Sequence, residues 1–192
     1  MSELKQDIKG RGNDVQLGNL GKVEGSSIFI RGHDNRVIIE DGAWIRNLQI
    51  IMESDENEVF IGANARVTGR FIQKLTPRNR IHIGRDTTFG QVSIINGEGT
   101  SVRIGEDCML SFDVELRTTD SHAIIDAASL ERVNPGADIV IEDHVWLAAH
   151  VTVLKGVRIP RNSVVGIHSV VTSRFDEEGI VISGMPARIV RR

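Results

Sequence analysis

A chain of 192 residues with a formal net charge of −3 carries no surplus of cations for a nucleic-acid backbone or an anionic membrane. Its apolar runs fall far short of a bilayer span, and the polar start MSELKQDIKG lacks the apolar stretch of a secretory signal, so a cytoplasmic protein is expected. One cysteine excludes an internal disulfide and a thiolate-built structural zinc site, while 19 glycines against 4 prolines, with abundant Ile and Val, favour strands closed by tight turns.

From the N-terminus, one phrase returns four times: NDVQLG from Asn13, NRVIIE from Asn35, NEVFIG from Asn57 and NRIHIG from Asn79, each 22 residues after the last. A looser copy, SVRIG from Ser101, follows with its Ile104 21 residues after Ile83. The asparagines read as corner residues, because Asn tolerates left-handed backbone angles. Shorter beats of six run Ile83, Phe89, Ile95 and then Ile104, Leu110, Leu116. Residues 118–138, TTDSHAIIDAASLERVNPGAD, break the rhythm. It resumes at Ile141, Leu147, Val153, Ile159, Val165 and Val171, with a small or branched residue four places after each of the first five: Val145, Val151, Val157, Ser163 and Ser169.

A period of six suits neither an amphipathic helix nor a hairpin sheet. It suits a triangular solenoid in which each side is a short strand and a turn, three sides making an 18-residue coil. The larger residue of each side points inward and stacks on its equivalent in the next coil; the smaller fills the corner. The 22-residue coils then carry about four extra residues at one corner. About eight coils at roughly 4.8 Å would build a prism of the order of 40 Å. The expectation is one all-β domain over 1–192, with an excursion at 118–138 and a short C-terminal tail.

Cys108 falls on a small inward position and is expected in the core. His122 opens the excursion, in a polar stretch suited to a surface loop. Its bland reading is a hydrogen-bonded loop histidine; its functional reading is a general base, with Asp120 holding one ring nitrogen so that the other accepts a proton. His150 and His168, 18 apart, should stack on one edge, with His144 on another side of the triangle.

The stretch IEDHVWLAAHVTVLKGVRIPRNSVVGIHSVVT, 141–172, followed by ISGMPARIV, 182–190, resembles the hexapeptide-repeat proteins, whose fold is a left-handed parallel β-helix. Handedness comes with the resemblance, since most parallel crossovers are right-handed. DSHAI, from Asp120, with Trp146 24 residues after His122, is similar to the sugar O-acetyltransferase branch, especially the capsular and cell-surface polysaccharide enzymes. The resemblance implies acetyl-CoA as co-substrate, His122 as the base and Trp146 lining the acetyl and acceptor site. It implies that Ala149, Ile167, Thr172 and Ser173 touch the pantetheine and adenosine parts of CoA. It also implies Pro186 on the adenine, with Arg188 and Arg191 near the phosphates, where charge-assisted hydrogen bonds are strong. The family often has Gly-Ala and Thr-Lys where this chain has Gly166-Ile167 and Thr172-Ser173. Phe89, Gln91 and Glu98 precede the excursion and are expected to line the acceptor pocket. A homotrimer with sites between subunits is implied, without a metal.

Three rivals remain at this stage. The same fold hosts zinc-dependent carbonic anhydrases with three histidines, but their pattern needs a close pair on one strand. Sugar N-acetyltransferases share the repeat, although some need no histidine at the loop. A solenoid can also be a non-catalytic binding surface.

Overall fold

The computed structural model describes residues 4–192. Within them the chain forms 22 strands and no helix, so no helix is long and apolar enough to cross a membrane. The strands wind as a left-handed parallel β-helix of about eight turns.

Three walls recur in chain order. Wall one contains Lys5–Lys9, Ser27–Arg31, Val92–Gly97, Val114–Arg117, Thr152–Leu154 and Val170–Val171. Wall two runs from Asp14–Leu17 through Arg36–Ile39, Glu58–Ile61, Arg80–Ile83, Ser101–Ile104 and Ile139–Ile141 to Arg158–Ile159, a seven-stranded parallel sheet. Wall three includes Lys22–Glu24, Thr88–Phe89, Met109–Leu110, Trp146–Leu147, Val164–Val165 and Val181–Gly184. Two nine-residue strands, Trp44–Met52 and Arg66–Lys74, bend from wall three into wall one and join those walls into one sheet. The second bends at Gly69, φ 141°, where an added Cβ would lie 1.9 Å from the Val92 carbonyl oxygen.

The six-residue beat is the core. On wall two, Ile39, Ile61, Ile83, Ile104, Ile141 and Ile159 stack in register, each at most 1% exposed. On wall one the column is Ile28, Ile50, Phe71, Ile94, Leu116, Val153 and Val171. Each such side chain removed from water contributes about 1.5–3 kcal/mol. The smaller beat residues Val145, Val151, Val157, Ser163 and Ser169 are all buried, as expected for corners. Ile95 is a correction: Ile94 faces inward and Ile95 outward. The turn after Phe89 is one residue shorter than the beat, so the strand alternation from Val92 moves the inward set to even positions.

The extra residues of the long coils sit at the corner between walls one and two, the loop corner. Five residues separate Lys74 from Arg80, against three between Leu154 and Arg158. The asparagine ladder lines this corner, but not for the expected reason. Left-handed backbone falls one residue earlier, at Asp34, Glu56 and Arg78. The asparagines stack amide on amide: Asn57 donates its backbone N–H and Nδ2 to Asn35 Oδ1 (3.0 and 2.9 Å), and Asn79 does the same to Asn57 Oδ1 (3.1 and 2.9 Å). The C-terminal tail is also more structured than expected. Val181–Gly184 and Ala187–Arg191 form an antiparallel hairpin on the end of wall three, turning through a cis Met185–Pro186 bond.

Candidate active site

The excursion leaves after Arg117 and returns at Ile139, at the loop corner. It is a small hairpin, closed by an antiparallel bridge between Ile125 and Arg132. Both ends are fastened to the prism. Glu98 accepts two hydrogen bonds from Arg132 (2.6 and 2.8 Å), one from the Gly136 N–H (3.1 Å) and one from the Thr119 hydroxyl. Lys155, on the next coil, donates to Asp120 Oδ2 (2.5 Å) and to the Asn134 carbonyl (3.0 Å). Glu98 is thus the staple of the loop rather than a free acceptor-pocket residue.

That staple is sensitive to acid. The Arg132 guanidinium first, then the Thr119 and Gly136 donors, hold the Glu98 carboxyl at about 2, from an ordinary 4.5, against the opposing effect of burial. A lowered pKa means the contribution is complete above pH 4.5 and is lost as pH falls toward 2. The protection of 118–138 against hydrogen exchange, relative to the intrinsic rate at each pH, should therefore fall across that window, and Glu98→Gln should show the low protection already at neutral pH. Equal protection of wild type and variant would overturn the assignment.

His122 is exposed, and its imidazole has no hydrogen-bond partner among the described residues. Asp120 does not hold the ring. Its carboxylate is taken by Lys155 and by Asn134 Nδ2 (2.7 Å), which lower its pKa, the lysine most. The left-handed Ser121, φ 65°, turns the chain between the two side chains. Cys108 is core, as expected: 2% exposed, its thiol pushed up to about 11 mainly by burial.

The other expected site residues lie elsewhere on the prism. Trp146 projects from wall three, 47% exposed, in a column between Met109 and Val164, beside a groove of about 550 Å³ that His144 also lines. Ala149 and Ile167 stack at the corner between walls three and one, the histidine corner, where the His168 N–H bonds the Ala149 carbonyl (3.1 Å). The His150 and His168 rings lie parallel there, 4.5 Å apart at 4°, with His150 Nδ1 3.5 Å from Asp113. His144 sits at the remaining corner, 3.0 Å from Asn162 Oδ1. The C-terminal hairpin reaches the histidine corner through Gly184 N–H to Ser169 Oγ (3.1 Å), bringing the turn at Pro186 close. Arg188 and Arg191 are on the outer strand of that hairpin, exposed. Gln91 lines a polar groove of about 830 Å³ further down the same corner, with Asn47, Arg70 and Asp113. Phe89 is 6% exposed and packs on Phe71 in the core, so it does not line a pocket. Thr172 and Ser173 are not with Ala149 and Ile167; they follow Val171 at the far end of wall one, toward the loop corner.

The expected site residues thus fall into separate groups on one chain. From Asp113 at the histidine corner to Thr118 at the loop corner is five residues of strand, about 16 Å. His122 stands at one margin of wall one and Ala149 and Ile167 at the other, with Trp146 beyond them on wall three. Sequence reasoning missed Asn134, Lys155 and Arg132, which shape the loop. No spacing marks them, since their partners lie 2 to 35 residues away.

The polysialic acid O-acetyltransferase of Neisseria meningitidis is 34% identical over 148 residues, which are 77% of this chain and 68% of that protein. The crystal structure of the polySia-specific acetyltransferase NeuO matches with a TM-score of 0.92 at 33% identity, covering 98% of this chain and 86% of that one. The polysialic acid O-acetyltransferase OatWY matches with a TM-score of 0.75 at 31% identity, covering 98% and 89%. No family model matches the sequence. With the prism shared from end to end and the sequence shared across most of it, the chain belongs to the hexapeptide-repeat sugar O-acetyltransferases.

Proposed function

We propose that this O-acetyltransferase moves the acetyl group of acetyl-CoA to a hydroxyl of a sialic acid polymer or a related cell-surface polysaccharide, with His122 as general base. The acceptor class is supported by the names of its relatives. The mechanism rests on one observation: the chain offers a free base and a free donor. The His122 imidazole and the Ala149 backbone N–H both lack a hydrogen-bond partner among the described residues, whereas the flanking Ala148 and His150 N–H groups are bonded to the coils beside them.

The sugar hydroxyl attacks the thioester carbonyl carbon as its proton passes to His122. The carbonyl oxygen gains the negative charge, which the Ala149 N–H stabilises. Collapse breaks the carbon–sulfur bond, and the proton on His122 passes to the CoA sulfur. The Trp146 indole provides an apolar wall for the acetyl group, while Ala149 and Ile167 leave the corner shallow for the pantetheine. Pro186 on the hairpin turn covers the adenine end, and Arg188 and Arg191 reach its phosphates. Thr172 and Ser173 contact CoA from the loop-corner side, and Gln91 contacts the acceptor.

A homotrimer assembles the site in this reading. The outer face of wall one carries a ladder of Phe29, Ile51, Ile72 and Ile95, all half-buried and in register. Packing this wall around a three-fold axis covers the ladder and brings the loop corner of one copy against the histidine corner of the next. The compartment implied is the cytoplasm, where acetyl-CoA is made, and residues 1–192 act as one folding unit.

Free-thiol release from acetyl-CoA tests the acceptor. Polysialic acid is expected to release CoA faster than free sialic acid or a galactoside. A faster rate with the galactoside would replace the polymer reading by a small-sugar one.

A further inference from the structure

We infer that Asn134 is a positioning residue for the base, fixing the backbone of His122 from within the excursion. The inference rests on His122 being the base, and it concerns how that base is held.

Asn134 is 12 positions beyond His122, on the returning side of the hairpin, and is 8% exposed. Its carboxamide is fully used. Nδ2 donates to the His122 carbonyl (2.9 Å) and to Asp120 Oδ2 (2.7 Å); Oδ1 accepts from the Ile124 N–H (2.6 Å) and from Arg132 Nε (3.3 Å). Two donors and two acceptances are all that a carboxamide commonly makes. The amide orientation is determined by these partners, since a flip would face oxygen with oxygen on one side and N–H with N–H on the other.

These four contacts bracket the histidine. Asp120 precedes it, its own carbonyl is held, and Ile124 follows it. With three points pinned at alternate residues, 120, 122 and 124, the φ and ψ that aim the imidazole have little freedom, although the ring itself has no hydrogen-bond partner among the described residues. Lys155 completes the clamp from the adjoining coil by bonding Asp120 and the Asn134 carbonyl, so the rigid prism, and not the loop, sets the position of residue 122. The same clamp gives the Asp120 carboxylate a role other than orienting the ring. It is an anchor for the Asn134 amide.

Asn134→Asp tests this sharply. The substitution keeps the shape and the acceptor toward Ile124 and Arg132, but removes the donors toward His122 and Asp120. With acetyl-CoA and polysialic acid, kcat is expected to fall about 10- to 100-fold with KM for acetyl-CoA unchanged, the signature of a misplaced catalytic group. In full-length protein labelled with ¹⁵N-histidine, the His122 ring signals, identified by their loss in His122→Ala, should broaden or multiply. Asp126→Ala is the control. Asp126 Oδ1 caps the hairpin tip through the Ala128 and Ser129 N–H groups (3.0 and 2.8 Å), and its loss should leave kcat within about two-fold. Unchanged His122 signals in Asn134→Asp, or an equal fall in kcat for Asp126→Ala, would overturn the inference. Full activity of His122→Ala would instead remove the base assignment, while the ring signals would still decide whether Asn134 fixes that residue.

Discussion

His122→Ala should lower kcat by about 10²- to 10⁴-fold, the range for loss of a positioned general base. KM for acetyl-CoA should stay near the wild-type value, because Ala149 and Ile167, proposed to seat the pantetheine, lie at the opposite margin of wall one and His122 itself is proposed to touch no part of CoA but the reacting thioester. The same geometry makes a second outcome available. Trp146→Ala should also be nearly inactive, yet co-expression of the two variants should recover about a quarter of wild-type activity. In a randomly mixed trimer, that is the share of junctions where an intact loop corner meets an intact histidine corner. A site complete within one chain would recover nothing, since every chain then carries one lesion. Retained activity in His122→Ala alone would end the base assignment. The absence of recovery from the mixture, with each variant inactive, would end the shared-site reading and leave the base intact.

Asn57→Ala should lose more stability than any other substitution of a polar side chain in the asparagine ladder. Asn57 is 1% exposed and sits at the middle of the ladder. Its Oδ1 is the partner of the Asn79 backbone N–H, and its Nδ2 bonds Asn35 Oδ1 and the Ser54 carbonyl (2.7 Å). Truncation leaves the Asn79 N–H buried without a partner, which costs about 2–3 kcal/mol once the small cavity is added. Urea unfolding at fixed protein concentration should show a lowered midpoint with the slope unchanged. Asn13→Ala, at the more exposed end of the same ladder, should cost less than about 1 kcal/mol. Equal losses at the two positions would mean that the ladder is not a cooperative stack.

The coil was legible because a solenoid converts sequence spacing directly into spatial register. Ile141 and Ile159 touch because they are one coil apart, so their separation of 18 is itself the structural statement. His150 and His168 stack for the same reason, and the inward burial of Cys108 followed from the same count. The reading slipped where local geometry departs from the beat. Ile95 kept the six-residue count, but the short turn after Phe89 moved the inward position to Ile94. The asparagines occupy the corner that their spacing predicts, but for a different reason from left-handed backbone. Their side chains bond upward to the next coil, and the strained backbone belongs to the residue before each of them.

Spacing alone carries the repeat, the inward residues other than Ile94, the site of the excursion and the histidine that opens it. All of these depend on contacts between positions a fixed distance apart. The partners of Asp120, the role of Glu98 as staple, the hairpin at the C-terminus and the separation of His122 from Ala149 by the width of wall one came only with the folded coordinates. Those depend on where a loop folds back and on which corner each side chain occupies. Hydrogen bonds such as Lys155 to Asp120 or Arg132 to Glu98 join residues about 35 positions apart, and no periodicity connects them.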